Sequence, residues 1–312
     1  MELDTLVNKP KNASGHCKGN NWRKGKQGKA KMSKYLITYG NEKFKNARDM
    51  FVYKAKELGV FDNVCGYSEF DVTEELAKTK MFKQERGGGY WTWKPDIINT
   101  AMQQMQDGDI LVYCDAGCTL QQSREWSRIW KKLEKYDIYA QRLFQRTDRW
   151  TRKNILEMFR CTNEECWEKQ YQYLATVIIL KITPFTRMFI DEWRDLMINH
   201  QELVCDVTEE KQSNEHKRFV ENRHDQAVYS ALIYKYIKNK KIYTTWEHIE
   251  DLDVFCKQAI RATRLRCGEL ETYKMKVVRA FKRVVKNFFL KPLYYAPLQW
   301  YYSDKDKRKY YK

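Results

Sequence analysis

Apolar residues along this chain fall into two patterns, short continuous runs and longer stretches in which they return every three or four positions. The runs Tyr35–Tyr39, Asn63–Tyr67, Ile110–Val112 and Leu174–Leu180 have strand length, and the last two lack the polar alternation of a half-exposed strand. Helical spacing governs 44–58, with Phe44, Phe51, Ala55 and Leu58 on one face, and the stretch after Pro95 through Ile97, Ile98, Ala101, Met102 and Met105. It returns at Trp126, Ile129, Trp130 and Leu133, after Pro184 through Phe189, Trp193 and Leu196, and at Ala227, Val228, Ala231 and Leu232. Strands alternating with helices predict an α/β domain with a largely parallel sheet over 34–272, interrupted near 199–222 by a polar segment that reads as a solvated loop or lid.

Candidate chemistry lies where these elements end. The turn Asp107-Gly108-Asp109 feeds an apolar strand that stops at Asp115-Ala116-Gly117, and open α/β sheets gather ligands at the carboxyl ends of their strands. An unpaired buried carboxylate is costly, so Asp115 is expected to meet a cation or hydrogen-bond donors. A hard divalent ion on a substrate's phosphates meets that need, and so does capping of the following helix. Just upstream, Gly87-Gly88-Gly89 lets backbone approach a ligand, Trp91 and Trp93 offer flat faces, and Lys94 is suited to a phosphate. Tyr39 ends the first strand, where it stacks either on a base or on the core. His224 and Asp225 open a helix, a position that serves as an N-cap box or as an anion-favouring functional site.

In four stretches, Tyr35–Gly40, Gly89–Pro95, Gly108–Gly117 and Arg223–Gln226, the chain resembles the bacterial glycosyltransferases of capsule and lipopolysaccharide gene clusters, over roughly residues 34–240. The resemblance implies a GT-A-like fold with a mostly parallel central sheet flanked by helices. It also implies transfer of a sugar from a nucleotide-sugar donor to a hydroxyl of a glycan or lipid-linked acceptor in surface polysaccharide assembly. Donor contacts are implied for Tyr39, Gly89, Trp93, Lys94, Asp115, Ala116 and Gly117, catalytic assistance for Asp225 and His224, and acceptor-side positions for Gln170, Ala175 and Thr176. Many members of the wider superfamily carry Asp-x-Asp where this chain has Asp115-Ala116-Gly117. Asp115 is thus the one implied ligand for a divalent cation (Mn2+ or Mg2+), and metal dependence stays open.

Composition adds a membrane expectation. Of the 312 residues, 43% are hydrophobic, as in a globular protein. Residues 1–34 hold nine Lys/Arg against two acids and 274–312 hold twelve against two, so the two ends carry the whole net charge of +17 and the body is formally neutral. A nucleic-acid binder places its basic residues on the folded domain, so no nucleic acid is expected as a partner. Terminal charge suits an acidic surface instead. Val277, Val278, Phe281, Val284, Val285, Phe288 and Phe289 form one helical stripe flanked by Lys and Arg, the pattern of an interfacial helix on an anionic membrane. The expected layout is therefore a basic extension over 1–33, read as disordered, the transferase domain over 34–272, and a basic aromatic tail over 273–312.

No apolar run reaches a membrane span and the basic N-terminus has no apolar signal region, with Met32 just ahead of the first strand. A cytoplasmic protein, peripheral on the inner face of the membrane, is expected. Nine cysteines without a Cys-x-x-Cys pair fit reduced thiols. The rival reading is a non-enzymatic basic protein that binds nucleic acid or membranes.

Overall fold

The computed structural model describes residues 32–159, 170–206, 214–215, 217–249 and 258–263, together with positions 277, 278, 281 and 284. The expectations for residues 1–31 and for most of the C-terminal tail lie outside the described residues.

Strands β1 (Lys34–Tyr39), β2 (Asn63–Tyr67), β3 (Ile110–Cys114), β5 (Ile138–Arg146), β6 (Tyr171–Tyr173), β7 (Val177–Lys181) and β8 (Ile242–Trp246) form one sheet, while β4 (Thr119–Leu120) pairs with β9 (Ile260–Arg261) beside it. From one edge the order is β2, β1, β3, β7, β5, and β5 also pairs with β6 and β8. β2, β1 and β3 are parallel, β7 runs against both β3 and β5, β6 runs against β5, and β8 is parallel to β5. Five strands therefore share one direction and only β6 and β7 oppose it, a mostly parallel sheet with an antiparallel insert.

That insert departs in detail from the expected single strand over 174–180. Strand pairing starts only at Val177, and Ala175 gives its carbonyl to the Lys94 ammonium instead of to a neighbouring strand.

Five longer helices cover the sheet: α1 (Lys45–Leu58), α2 (Trp93–Met102), α3 (Glu125–Lys135), α4 (Pro184–Asn199) and α5 (Asp225–Tyr236). Strand alternation sorts the core into two layers. Tyr35, Ile37, Tyr39, Leu111, Tyr113, Ile178 and Leu180 meet α2, α4 and α5 on one face. Leu36, Ile110, Val112, Cys114, Val177 and Ile179 meet α1 and α3 on the other. Both faces of β3 are thus buried, which is why its sequence is continuously apolar, and each fully buried Leu or Ile contributes about 1.5–3 kcal/mol.

α1 opens later than its spacing predicts. A 3-10 turn takes Glu42–Phe44, so Phe44 stays 43% exposed and the buried face runs instead through Ala47, Phe51, Val52 and Ala55. Cys114, Cys118 and Cys205 carry free thiols, but Cys65 is disulfide-bonded, a departure from the expectation of reduced thiols throughout. Among the described residues no helix is long and apolar enough to cross a membrane.

Candidate functional site

The site is built on an unusual turn. Gly87, Gly88, Gly89, Tyr90 and Trp91 all have positive φ, at 60°, 59°, 95°, 53° and 59°. Left-handed backbone is free for glycine but costs an L-residue about 1–2 kcal/mol, so Tyr90 and Trp91 must be held by their surroundings. The Tyr90 hydroxyl donates to Asp206 at 3.1 Å, and the Trp91 ring stacks on His224 with centroids 5.1 Å apart. Gly89 lies against the backbone of Phe82, where a Cβ would come within 2.7 Å. The turn ends in α2 and delivers Trp93 and Lys94 behind the carboxyl ends of β1 and β3. There Trp93 stacks on Tyr39 at 3.8 Å and donates its indole N–H to the Gly87 carbonyl at 2.9 Å.

Lys94 is 2% exposed and its ammonium ties three distant segments together. Nζ donates to Asp225 Oδ2 at 2.6 Å and to the Ala175 carbonyl at 3.1 Å, and lies 3.5 Å from Asp115 Oδ1. The Tyr113 hydroxyl donates to the same Asp115 oxygen, and the Asp115 amide donates to the Thr176 carbonyl at 3.0 Å. Burial pushes the Lys94 pKa down, yet Asp115 and Asp225 outweigh it and leave the value above that of an ordinary lysine.

At Asp115 burial wins and raises the carboxyl above its usual range, with Lys94 and Tyr113 pulling it only partly back. The side chain keeps 34% of its surface open, which tempers the shift and makes it the carboxylate a ligand can touch. With one ammonium and two carboxylates, the centre has a net charge of minus one when both acids are ionised.

His224 stands apart from this ammonium. Its Nδ1 lies 2.6 Å from the Val204 carbonyl and therefore carries the proton, leaving Nε2 to accept from the Arg86 guanidinium at 3.3 Å. Arg86 is fixed in turn by Glu221 at 2.7 Å and Asp206 at 3.0 Å. Burial lowers the His224 pKa, so the ring is neutral at pH 7. It precedes α5 with φ 50° and makes no side-chain cap bond, so the N-cap box reading does not describe it.

The residues picked out in the sequence therefore occupy different depths. Asp115, Ala116 and Gly117 are partly open, whereas Tyr39, Gly89, Trp93, Lys94 and Asp225 are buried behind them. Ala175 and Thr176 join the centre through their carbonyls, and Gln170 lies away from it, its carbonyl bonded to the Thr147 amide. Two features bear on Lys94 and on a metal. The lysine is closed to a phosphate because its three protons already face three acceptors. It also fills the space between the two carboxylates, and among the described residues no group of three His, Cys, Asp or Glu side chains is placed to hold an ion. The donor set thus fits an ammonium better than Mn2+ or Mg2+.

Sequence reasoning missed Tyr113, which reads as core, and Arg86, which lies in a charged stretch without motif. Thr38 Oγ1, Asn41 Oδ1, Tyr67 Oη and Asp71 Oδ1, at or just beyond the ends of β1 and β2, are buried without hydrogen-bond partners. Such atoms call for a polar guest.

No protein-family profile matches the chain, and no curated protein sequence matches it. Among solved structures it is similar to the galactosyltransferase LgtC in complex with donor and acceptor sugar analogues, at 11% identity over 68% of this chain and 73% of that one, with a TM-score of 0.37. It is similar also to mouse xyloside xylosyltransferase 1 in its apo form, at 12% identity over 71% and 89% of the two chains, TM-score 0.40. A third is the glycosyltransferase GlyE of Streptococcus pneumoniae TIGR4, at 10% identity over 84% and 53%, TM-score 0.36.

Proposed function

We propose that the chain is a glycosyltransferase of GT-A-like fold that moves a sugar from a nucleotide-sugar donor to a hydroxyl of a glycan or lipid-linked acceptor, in surface polysaccharide biosynthesis. The observation that carries this reading is convergence. Trp93-Lys94 from the glycine-rich turn, Asp115 from the end of β3 and Asp225 from the start of α5 are far apart in sequence, and one ammonium bonds or faces both carboxylates. The unpartnered Thr38, Asn41, Tyr67 and Asp71 atoms support a nucleotide at the β1–β2 side.

The chemistry follows from the charge of the centre. In the transfer an acceptor oxygen forms a bond to the anomeric carbon, the bond from that carbon to phosphate oxygen breaks, and the nucleoside diphosphate leaves with the electron pair. Positive charge develops on the sugar ring meanwhile. A net negative centre with Asp115 open to the crevice stabilises that charge. Asp225 and Lys94 then act as positioning residues that hold Asp115 in place, and His224 positions the turn through Trp91 and Arg86. The acceptor's proton leaves to a base within hydrogen-bond reach, for which Asp115 is the accessible group.

The test is donor hydrolysis and transfer across a panel of nucleotide sugars. Asp115→Ala is expected to lower kcat at least a hundredfold while the far-UV spectrum is kept. Because Lys94 stands where an ion would bind, activity is expected to persist in a chelator. Undiminished turnover by Asp115→Ala would remove Asp115 from the mechanism, and silence of the folded wild type across the panel would remove the enzyme reading.

The membrane-facing tail belongs to the same reading. Val277, Val278, Phe281 and Val284 are helical and exposed, the arrangement a peripheral helix needs to meet the lipid-linked acceptor at an anionic inner leaflet.

A further inference from the structure

On the opposite side of Asp115 from β1 and β2, a cavity of about 540 Å³ opens where β5 ends and β6 begins. Its walls carry four cations, Arg146, Arg149, Lys217 and Arg218, set between the rings of Tyr171 and Phe219. A buried carboxylate organises two of them. Asp148 is 1% exposed, grips Arg146 with a two-pronged pair at 3.1 and 3.0 Å, and lies 3.6 Å from Arg218. Among the described residues one acid faces four bases, which makes this part of the cavity positive in a body whose overall formal charge is zero. Arg149 and Lys217 are exposed and make no side-chain ion pair among the described residues. The arrangement, two open cations, Arg149 and Lys217, beside a carboxylate-bound arginine and between aromatic walls, is that of a site for a phosphate-bearing ligand with a ring attached.

The topology says which ligand. The sheet places β7 between β3 and β5, and its register sets Val112 level with Tyr139 and so Asp115 level with Arg142; two strand spacings across and four residues along β5 put Arg146 on the cavity wall roughly 16 Å from Asp115. Tyr171 on the wall lies five positions before Thr176, whose carbonyl binds the Asp115 amide, a reach of at most about 18 Å. A short glycan that carries a phosphate or diphosphate spans that distance. The nucleotide side of the crevice lies on the far flank of Asp115, with the unpartnered polar atoms of β1 and β2.

We infer that this cavity binds a phosphate or diphosphate ester carried by the acceptor. The identity of the ligand as acceptor rests on the glycosyltransferase reading, whereas its anionic character rests on the cavity alone. The volume fits a small-molecule site.

Full-length protein titrated calorimetrically with inorganic pyrophosphate, and separately with a nucleoside diphosphate such as UDP, distinguishes the two. Pyrophosphate is expected to bind saturably, at least tenfold more weakly in the Arg149→Ala/Lys217→Ala double variant, and unchanged in Asp115→Ala. The conservative pair Arg149→Lys/Lys217→Arg should restore binding to within about threefold, since charge is retained. UDP affinity should be indifferent to the double variant. Absence of pyrophosphate binding, or binding that survives the double variant, overturns the site. Equal loss of UDP and pyrophosphate in the double variant makes the cavity the donor's own diphosphate site and overturns the acceptor assignment. Pyrophosphate binding with the expected variant pattern, but no donor turnover, leaves an anion site standing while the transferase reading falls.

Discussion

Asp115 keeps a carboxylate beside Lys94 and Tyr113 although burial raises its pKa, so its ionised form opposes folding. A carboxyl whose folded pKa exceeds its unfolded one contributes stability that is present in acid and lost as pH rises through the folded value. Asp115→Asn is therefore expected to raise Tm at pH 7 and to lose that advantage near pH 3, where the wild-type group is protonated too. Paired thermal melts at the two pH values check this, and an asparagine variant less stable at pH 7 would show that Lys94 needs the charge.

His224 has the opposite dependence. Its lowered pKa means stability that is complete above about pH 6.5, the ordinary histidine value, and lost as the pH falls. Protonation would also turn Nε2 from the acceptor of Arg86 into a donor. Between pH 7 and 5 the wild type should lose more stability than His224→Gln, read by denaturant midpoints. At this scale the sequence was informative about which residues gather and silent about their depth. Lys94 in a turn beside glycines reads as a phosphate ligand; only its three acceptors, contributed by segments far away in the chain, reveal a buried strut.

Helix and strand placement was legible wherever apolar period and chain punctuation agreed, as with Pro184 at the start of α4 and the doubly buried β3. The antiparallel β7 was not, because strand direction depends on how the chain returns and not on its own composition. The glycine-rich turn was legible as a place where backbone can approach a ligand, but its run of five left-handed residues, including Tyr90 and Trp91, was not. Gly89→Ala would place a methyl 2.7 Å from the Phe82 Cα at φ 95°, so a loss of about 1–3 kcal/mol is expected from overpacking alone, with activity falling alongside. Wild-type stability and turnover in that variant would show that the turn is free to rearrange.

Between α2 and α4 the fully buried Asp96 accepts from Arg194 at 2.7 Å and from the Thr73 amide and hydroxyl at 2.8 and 2.7 Å. Arg194→Met should cost about 1.5–3 kcal/mol, the usual worth of a hydrogen bond to a charged group, and less when Asp96→Asn is already present. A urea double-mutant cycle reads the coupling directly; simple additivity would mean that the Thr73 bonds suffice.

For the molecule as a whole, charge segregation was the clearest signal in the sequence, with both ends basic and the body neutral. Truncation after residue 272 is expected to reduce recovery on anionic vesicles severalfold at low salt, while full-length binding weakens as ionic strength shortens the Debye length to about 8 Å. Equal sedimentation of both proteins would discard the membrane surface as a partner. What composition could not disclose was local: the neutral body conceals the basic cavity around Arg146 and Arg218, because its cations come from two short segments, Arg146/Arg149 and Lys217/Arg218, 68 to 72 residues apart in the chain.

The Lys94–Asp225 bond joins residues 131 positions apart. During synthesis at about 5–20 residues per second, Asp225 is made roughly 7 to 26 seconds after Lys94. The Ala175 carbonyl follows Lys94 by 81 residues and β7 comes directly after it, so the ammonium first lacks both partners and then, until α5 is made, still lacks its Asp225 carboxylate. The ion-paired centre around Lys94 is therefore among the later parts of the domain to set, since it needs a residue from the start of α5.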